Sequence, residues 1–285
     1  MNQPFQSSSE TAAAQASSSG SQTLLRGLDV LEAGARGPIL LIELAALLGL
    51  NRSTAHRLAS ALVERRYLAH ELGSGYRLGP KLLELGFLAQ DQADLVQLAR
   101  PHLEALAATT DDTVHLGVME AERALYLDKI PGRRRVEISS RVGDRHPLTS
   151  TGLGKALLLD LADAEWLRLF QAEDDSGHRG VDYQTWRQRM CNYVAAGYAF
   201  DLEENEDQIR CVAAPIRDAS GSIVAALSVS SAAQYMAHDR MEGLIPQVCE
   251  TAGAISRELG WTPHGTAGAR SERSRTHAKR ARRLW

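Results

Sequence analysis

The sequence predicts an α+β protein with two folded parts, a helical N-terminal part that includes a β-hairpin and a larger part built on an antiparallel sheet. A short apolar segment ends at Gly49, and after a tight turn a second helical segment opens at Asn51. Further along, apolar residues alternate with other residues, as in residues 114–118, between segments of helical periodicity. A Gly-Pro pair at residues 79–80 separates the two parts.

The N-terminal part has the predicted order helix, helix, helix, hairpin. Leucine and valine recur at helical spacing in the first segment, and Asn51 is a suitable N-cap for the third. The helical patterns lie at residues 23–34, 42–48 and 51–65. A Gly-Ser-Gly turn at residues 73–75 separates two short strands, at residues 67–69 and 76–78. This order is that of a winged helix-turn-helix, and we predict that the domain covers residues 23–79.

The second part follows a predicted linker helix at residues 80–98 and covers residues 99–262. Alternating apolar residues and a Gly-containing turn at residues 218–221 indicate its strands. The strand patterns lie at residues 114–118, 125–127, 136–138, 212–216 and 223–230. A closing amphipathic helix covers residues 240–259. Strands mixed with helices in this way are typical of an α+β domain with an antiparallel sheet.

The composition is that of a globular protein. Of the 285 residues, 44% are hydrophobic, but no apolar run reaches the roughly 18 residues that a membrane span needs. Residues 1–22 are rich in Ser, Ala and Gln and lack the features of a signal peptide, so we expect a disordered tail there. The cysteines are widely spaced and form no CxxC pair, which predicts reduced thiols in a cytoplasmic protein.

The net charge of −3 is unevenly distributed along the chain. Residues 23–90 carry eight Lys and Arg against six Asp and Glu, and a C-terminal tail at residues 263–285 carries seven against one. The remainder, residues 91–262, is therefore strongly acidic. DNA repels an acidic domain, so we expect nucleic-acid contact in the N-terminal part. For the basic tail, which we expect to be disordered, sequence-independent phosphate contact and a solubilising role both stay open.

The third predicted helix opens with cationic and hydroxyl side chains. They are Arg52, Ser53, Thr54, His56 and Arg57. Arginine pairs with guanine edges or phosphate, and serine and threonine suit either partner. A solvated helix face is the competing interpretation, but the tight turn before this helix and the hairpin after it favour DNA. Base contact and packing against the hairpin both stay open for His56, as do phosphate contact and simple solvation for Arg26.

Six phrases of the sequence occur in the order typical of one family. They lie at residues 25–32, 52–58, 76–79, 147–158, 197–199 and 211–216. With them the chain resembles the IclR family of bacterial transcriptional regulators over about residues 23–260. The resemblance implies a winged helix-turn-helix joined by a linker helix to a GAF-like effector-binding domain. It also implies a repressor or activator that binds a double-stranded DNA operator as a homodimer or homotetramer, with RNA polymerase as a further candidate partner.

Two positions depart from the family pattern. Arg66 stands where a glycine usually precedes the first aromatic residue of the hairpin, so the turn after the third helix is expected to differ. Residues 206–210 lack the glycine that commonly precedes the strand of Cys211, which leaves the shape of that loop open.

The second part contains a candidate anion site. The run Thr151-Gly152-Leu153-Gly154 opens a helix whose N–H groups and dipole favour an anion, and its glycines allow close approach. Ser228 and Ser230 lie two apart on a strand and so share a side. By resemblance, the effector-contact positions are Ile138, His146, Gly152, Leu153, Asp201, Cys211, Ser228 and Ser230. These groups favour a small hydroxy-, sugar or aromatic acid. Cys211 as a small buried hydrophobe and Asp201 as a turn cap are the plain alternatives.

Motifs of enzymes are missing from the sequence. Gly152 and Gly154 lack the third glycine of a dinucleotide fingerprint, because Leu157 stands in its place, and no P-loop, GxSxG or HExxH run occurs. A zinc site that uses Cys211 is a minor alternative. We therefore predict a regulator that is not an enzyme and needs no cofactor. The competing hypothesis is a ligand-independent DNA-binding protein whose second domain is degenerate.

Overall fold

The computed structural model describes residues 8–135, 138–173 and 181–263, and the chain divides into two units between Ala93 and Asp94. The elements of the N-terminal unit are α1 (Ser8–Gly34), α2 (Leu41–Leu47), α3 (Arg52–Glu64), β1 (Leu68–Glu71), β2 (Gly75–Leu78) and α4 (Pro80–Gln92). The two strands pair as an antiparallel hairpin. The predicted winged helix-turn-helix is thereby confirmed.

One turn and a small core fix the two helices of the helix-turn-helix. Gly49, between α2 and α3, has a φ of +61°, a conformation that glycine adopts without strain. Asn51 caps α3, because its side-chain oxygen accepts the N–H of Thr54 at 2.8 Å. Leu44 and Ala59 are fully buried and hold α2 and α3 to a shared core.

The first helix is longer than the sequence predicted. It begins at Ser8, whereas we expected disorder up to residue 22 and a helix from residue 23. The alanine-rich run at residues 12–16 gives a physical reason, because alanine has the highest helix propensity. Nearer its C-terminal end, Leu24, Leu25 and Leu28 are exposed, so the predicted apolar stripe of α1 is only partly used in the core.

The linker helix is shorter than the sequence predicted. Helix α4 ends at Gln92 rather than at residue 98, and α5 (Leu95–Thr110) follows as a separate helix. The side chain of Asp94 accepts the N–H groups of Val96 and Gln97 and so caps α5. Because an N-cap residue marks a fresh helix start, residues 95–98 belong to the second unit.

The C-terminal unit is built on a six-stranded sheet in the order β5-β4-β3-β8-β7-β6. The strands are β3 (Thr113–Glu120), β4 (Arg123–Ile130), β5 (Arg145–His146), β6 (Ala199–Leu202), β7 (Ile209–Arg217) and β8 (Ile223–Ala232). The remaining helices are α6 (Gly152–Leu157), α7 (Asp163–Ala172), α8 (Tyr183–Ala196) and α9 (His238–Glu258). All neighbouring strands are antiparallel, which confirms the predicted α+β class.

The sheet is buried on both faces. Helix α6 packs against β6, β7 and β8, while α5 and α9 pack together and against β3 and β7. Successive side chains of β7 alternate between faces, so Val212 and Ala214 point away from the face that carries Cys211 and Ala213. All of these residues are buried. Polar side chains on the α6 face of the sheet therefore lie inside the unit.

Some predicted segments fall outside the described residues. Residues 136 and 137 of the predicted strand at 136–138 lie outside them, and Ile138 itself is not in a strand. The basic tail from residue 264 onward also lies outside them, as do residues 1–7. Among the helices of the described ranges, none has the length and apolar character that a membrane crossing requires.

Candidate functional site

Helix α3 presents its polar side chains outward. Arg52, Ser53, His56 and Arg57 are exposed, whereas Thr54 is half-buried. The ion pairs of this unit within the described residues use Arg66, Arg77 and Lys81, so neither Arg52 nor Arg57 is neutralised by a carboxylate there. The first two turns of α3 thus offer two exposed guanidinium groups for an external partner.

A groove of about 690 Å³ runs between α3, the start of α2 and the hairpin. Arg52 and His56, one turn apart on α3, line it together with His70, Gly73 and Tyr76 of the hairpin region. His56 therefore faces the groove toward the hairpin. Ser53 and Arg57, also four residues apart, share the neighbouring face of the helix.

The hairpin is fixed to the rest of its unit by backbone contacts. Ile39 and Tyr76 exchange two backbone hydrogen bonds, with N···O distances of 2.9 and 2.8 Å. A Cβ atom on Gly75 would lie 2.2 Å from the carbonyl oxygen of Ile39, so only glycine fits there. Across the hairpin, Arg77 and Glu71 form an ion pair at 2.6 Å. The hairpin is thus a positioned element and not a loose loop.

Arg26 lies on the exposed side of α1. Its contact with phosphate stays a prediction.

The predicted effector residues of the sheet lie side by side. Asp201 on β6 is the register partner of Cys211 on β7, and Cys211 is the partner of Ser230 on β8. Ser228 follows two positions away and shares their face. All four are buried. The sheet therefore brings residues from three strands into one polar row beneath α6.

Helix α6 packs directly on this row at Gly152, and Gly154 packs on the segment before the helix. A Cβ atom on Gly152 would lie 2.4 Å from the Sγ atom of Cys211, and one on Gly154 would lie 2.4 Å from the carbonyl oxygen of Leu148. Thr151 is the N-cap, since its Oγ1 atom accepts the N–H of Gly154 at 3.0 Å. The glycines are thus required by packing within the protein, and the ligand-approach role that we predicted for them stays a prediction.

Burial controls the protonation of Cys211. It raises the pKa of the thiol to about 12, and the carboxylate of Asp201 adds to the increase. The thiol is therefore protonated at neutral pH and acts as a small weakly polar group rather than a nucleophile.

A buried histidine occupies the same face of the sheet. His115 pairs with Ser228 across β3 and β8, its Nε2 atom lies 2.7 Å from the Ser140 hydroxyl, and its Nδ1 atom lies 3.5 Å from the Ser230 hydroxyl. Burial, followed by the charge of Lys129, lowers the pKa of His115 to about 3. The imidazole is therefore neutral at physiological pH and can both donate and accept a hydrogen bond.

Aromatic stacking continues the polar face toward β5. The ring of Tyr126 lies 4.8 Å from that of His115 and 4.5 Å from that of His146, between ring centroids. The Nε2 atom of His146 is buried and has no hydrogen-bond partner within the described residues. Ile138 is buried nearby in the chain, and its carbonyl oxygen accepts a hydrogen bond from Lys129 at 2.6 Å.

A buried cation sits on α6 beside this polar row. Lys155 donates to the carbonyl oxygen of Phe200 at 2.9 Å and forms an ion pair with Glu204. The second oxygen of Glu204 is bound by Arg189 at 2.6 Å. Burial lowers the pKa of Lys155 to about 8, against the opposing effect of Asp201. Charge on this side of the unit is therefore balanced within the protein.

Comparison with known proteins places these features in a family. A family model of the IclR helix-turn-helix domain matches residues 23–71, and one described as bacterial transcriptional regulator IclR C-terminal matches residues 87–257. The regulator XynR of Escherichia coli (strain K12) is 32% identical over 77% of this chain and 88% of its own. The chain is an IclR-family transcriptional regulator.

Solved structures of IclR proteins share the fold. The Agobacterium tumefaciens repressor BlcR aligns with a TM-score of 0.73 at 26% identity, over 86% of this chain and 99% of its own. An IclR homolog from Microbacterium hydrocarbonoxydans, complexed with 4-hydroxybenzoate, aligns with a TM-score of 0.53 at 26% identity, over 84% and 99%. The relatives are transcriptional regulators, and the family is not one of enzymes. Within the described residues, no cluster of His, Cys, Asp or Glu is arranged to hold a metal.

Several residues of the polar face were missed by the sequence analysis. They are His115, Tyr126, Ser140 and Lys155. The alternation of apolar residues in β3 placed one face in the core, but it gave no sign that the opposite face, with His115, is buried too. A histidine inside a central strand was the available signal.

Both departures from the IclR pattern contain a non-glycine residue with a positive φ. Arg66 has a φ of +66°, and Gln208, within residues 206–210, has a φ of +61°. Both therefore occupy the left-handed region that favours glycine. Arg66 adopts this conformation at an energetic cost, and a turn that differs from that of the family stays a prediction.

Proposed function

We propose that this IclR-family regulator binds its operator through α3 and the hairpin, and that a small organic acid bound between α6 and the sheet changes its operator affinity. The observation that supports effector binding is the buried polar face beneath α6. Burying Asp201, Ser228 and His115 on one face has a desolvation cost that apolar side chains would avoid, and a bound polar ligand would offset part of that cost. The buried Nε2 atom of His146 supports the same proposal, because it has no hydrogen-bond partner within the described residues and lies 4.0 Å from the Asp144 carboxylate.

On the DNA side, α3 is the proposed recognition helix. Arg52 and Arg57 suit bidentate contact with guanine or ion pairing with phosphate, and Ser53 suits either. Thr54 is half-buried, so only part of its side chain is available to DNA. His56 is proposed to contact DNA from the groove side, and Arg26 to bind phosphate.

On the effector side, the chemistry of the face selects the ligand class. Serine hydroxyl groups and the neutral imidazole of His115 suit a carboxylate and a hydroxyl on one small molecule. Asp201 disfavours a second carboxylate and accepts a ligand hydroxyl. The Tyr126 and His146 rings offer a flat apolar surface, and the Microbacterium relative complexed with 4-hydroxybenzoate supports an aromatic hydroxy-acid within this class.

Assembly into a homodimer or homotetramer is part of the proposal. Leu83 and Phe87 on α4 are 78% and 65% exposed, and exposed apolar faces of this kind mark protein interfaces. The proposal includes a cytoplasmic location and RNA polymerase as a candidate partner, and repression and activation are both compatible with it. Sedimentation of the full chain, compared with the variant Leu83→Ser, tests the assembly.

The test of the switch starts from a DNA duplex enriched by in vitro selection with the full chain. Small organic acids, 4-hydroxybenzoate among them, are screened for a rise in melting temperature. Each binder is then added to the protein–duplex complex, and we expect operator affinity to change by about 5–150-fold. An acid that stabilises the protein and leaves DNA affinity unchanged would contradict the switch. Duplex binding with no response to any acid would favour the ligand-independent alternative.

Trp186 provides an internal signal for the same titration. Its indole N–H donates to the carbonyl oxygen of Thr149 at 2.7 Å, two residues before the N-cap Thr151. Ligand binding beneath α6 should therefore alter its fluorescence. Ser228→Ala, which removes one hydroxyl from the face and leaves Trp186 in place, should weaken the titration without abolishing the starting signal.

A further inference from the structure

The tip of the hairpin carries one large apolar side chain that packs on nothing in its unit. Leu72, directly after β1, is 98% exposed, more than any other large hydrophobic residue described. Gly73 follows it with a φ of +86°, and Gly75 with a φ of +89°, so the tip is a tight glycine turn that holds Leu72 outward. Single exposed leucines are common, so the position of this one decides its meaning.

The tip borders the same groove as the start of α3. Arg52 and His56 line that groove from the helix, and Gly73 lines it from the hairpin. The side of the unit that presents the cations of α3 therefore also presents the tip. The carboxylate of Glu71, the only charge beside Leu72 in sequence, is paired with Arg77, so it does not oppose a polyanion strongly.

The dimensions of the hairpin match those of a DNA duplex. Strands of four residues reach about 14 Å from their base at about 3.4 Å per residue. A helical turn of B-DNA is about 34–36 Å, so a major groove and the next minor groove are centred roughly 17 Å apart. With α3 in the major groove, a hairpin of this length on the same side of the unit is long enough to extend toward the adjacent minor groove.

We propose that Leu72 is an apolar wedge that enters the operator's minor groove beside the site of α3. Leucine is among the side chains that DNA-bending proteins insert between base steps, which kinks the duplex by about 20–90°. Pyrimidine–purine steps unstack most readily, so the wedge contributes sequence preference at base pairs that α3 does not touch. This inference rests on the proposed orientation of α3 on DNA.

The experiment uses the full chain and the duplex enriched by in vitro selection, labelled at both ends for fluorescence energy transfer. Leu72→Ala removes the wedge, and Leu72→Met retains an apolar one. Val142→Ala is the matched control, because Val142 is an exposed apolar residue that precedes a glycine of positive φ in the other unit. Affinity is measured at several salt concentrations, and melting curves check that each variant is folded.

For Leu72→Ala we expect about a tenfold loss of affinity, equivalent to about 1.4 kcal/mol, with a smaller bend and an unchanged salt slope. Leu72→Met should stay within about twofold of the parent, and Val142→Ala should match it. Unchanged bend and affinity in Leu72→Ala would overturn the proposal. So would a loss of affinity with a shallower salt slope and an unchanged bend, which marks a phosphate contact. A changed association state on sedimentation would assign Leu72 to a protein interface instead.

Failure of the wedge and failure of DNA binding are separable in this design. A parent chain that enriches no duplex contradicts the proposed operator binding as a whole. A parent chain that binds and bends its duplex, with a Leu72→Ala variant that does the same, contradicts only the wedge.

Discussion

Substituting alanine for Gly152 tests the packing of α6 on the sheet. The new Cβ atom would lie 2.4 Å from the Sγ atom of Cys211 and 3.1 Å from the amide nitrogen of Asp201. Favourable contacts between such atoms need about 3.5–4.0 Å, so α6 and β7 must separate by about 1 Å. Overpacking of this kind in a close-packed core costs about 1–3 kcal/mol. We expect Gly152→Ala to lower the free energy of unfolding by that amount.

Removing the sulfur should restore part of this loss. Cys211→Ala alone leaves a small cavity and should cost about 1 kcal/mol. In the double variant the clash with sulfur is absent, so the combined cost should fall short of the sum by at least about 1 kcal/mol. The amide of Asp201 still lies close, and the rescue is therefore partial. Urea denaturation of the parent, the two single variants and the double variant gives the coupling energy. Strictly additive losses would refute the packing argument.

Three further predictions concern other parts of the molecule. Arg66→Gly should be about 1 kcal/mol more stable to urea than Arg66→Ala. Both variants lose the ion pair with Glu84, and only alanine is strained in the left-handed conformation of this position. A more stable Arg66→Ala would contradict the positive φ of Arg66. Burial holds the pKa of His115 in the folded protein near 3, below about 6.5 in the unfolded chain. The stability associated with neutral His115 is therefore fully present above about pH 6.5 and is lost as the pH falls toward 3. Between pH 7 and pH 5 the parent should therefore lose about 2 kcal/mol more stability than His115→Asn, and equal losses would place the charged form in the fold. Arg52→Ala should weaken binding to the selected duplex by about 1–3 kcal/mol at fixed salt, and an unchanged affinity would remove Arg52 from the base-reading set.

The helix-turn-helix was predictable because its signals are local. Gly49, the cap Asn51 and the glycines of the hairpin turn each act within a few residues, and the structure has the elements where these signals place them. The start of α1 at Ser8 was not predictable from a Ser- and Ala-rich composition, because the same residues suit a disordered tail and a helix.

The polar face beneath α6 depends on pairings between distant segments. Cys211 meets Asp201 and Ser230 only through strand register, and His115 joins them through a strand almost a hundred residues earlier in the chain. Resemblance to the IclR family supplied several of these positions, but it did not supply His115, Tyr126 or Ser140. Periodicity indicates which residues share a face of one strand, and it does not indicate what covers that face.

Backbone hydrogen bonds hold the turn at Arg66 in a left-handed conformation without a glycine. The carbonyl oxygen of Arg66 accepts the N–H of Lys81 at 3.1 Å, and the N–H of Arg66 donates to the carbonyl oxygen of Val63 at 2.9 Å. Gln208 is held in the same manner, since its carbonyl oxygen accepts the N–H of Ala233 at 2.6 Å. Each left-handed residue costs roughly 1–2 kcal/mol, and each backbone hydrogen bond that this conformation allows contributes about 0.5–1.5 kcal/mol in return. The surrounding backbone hydrogen bonds therefore fix the left-handed conformation at Arg66 and Gln208, whichever side chain stands there.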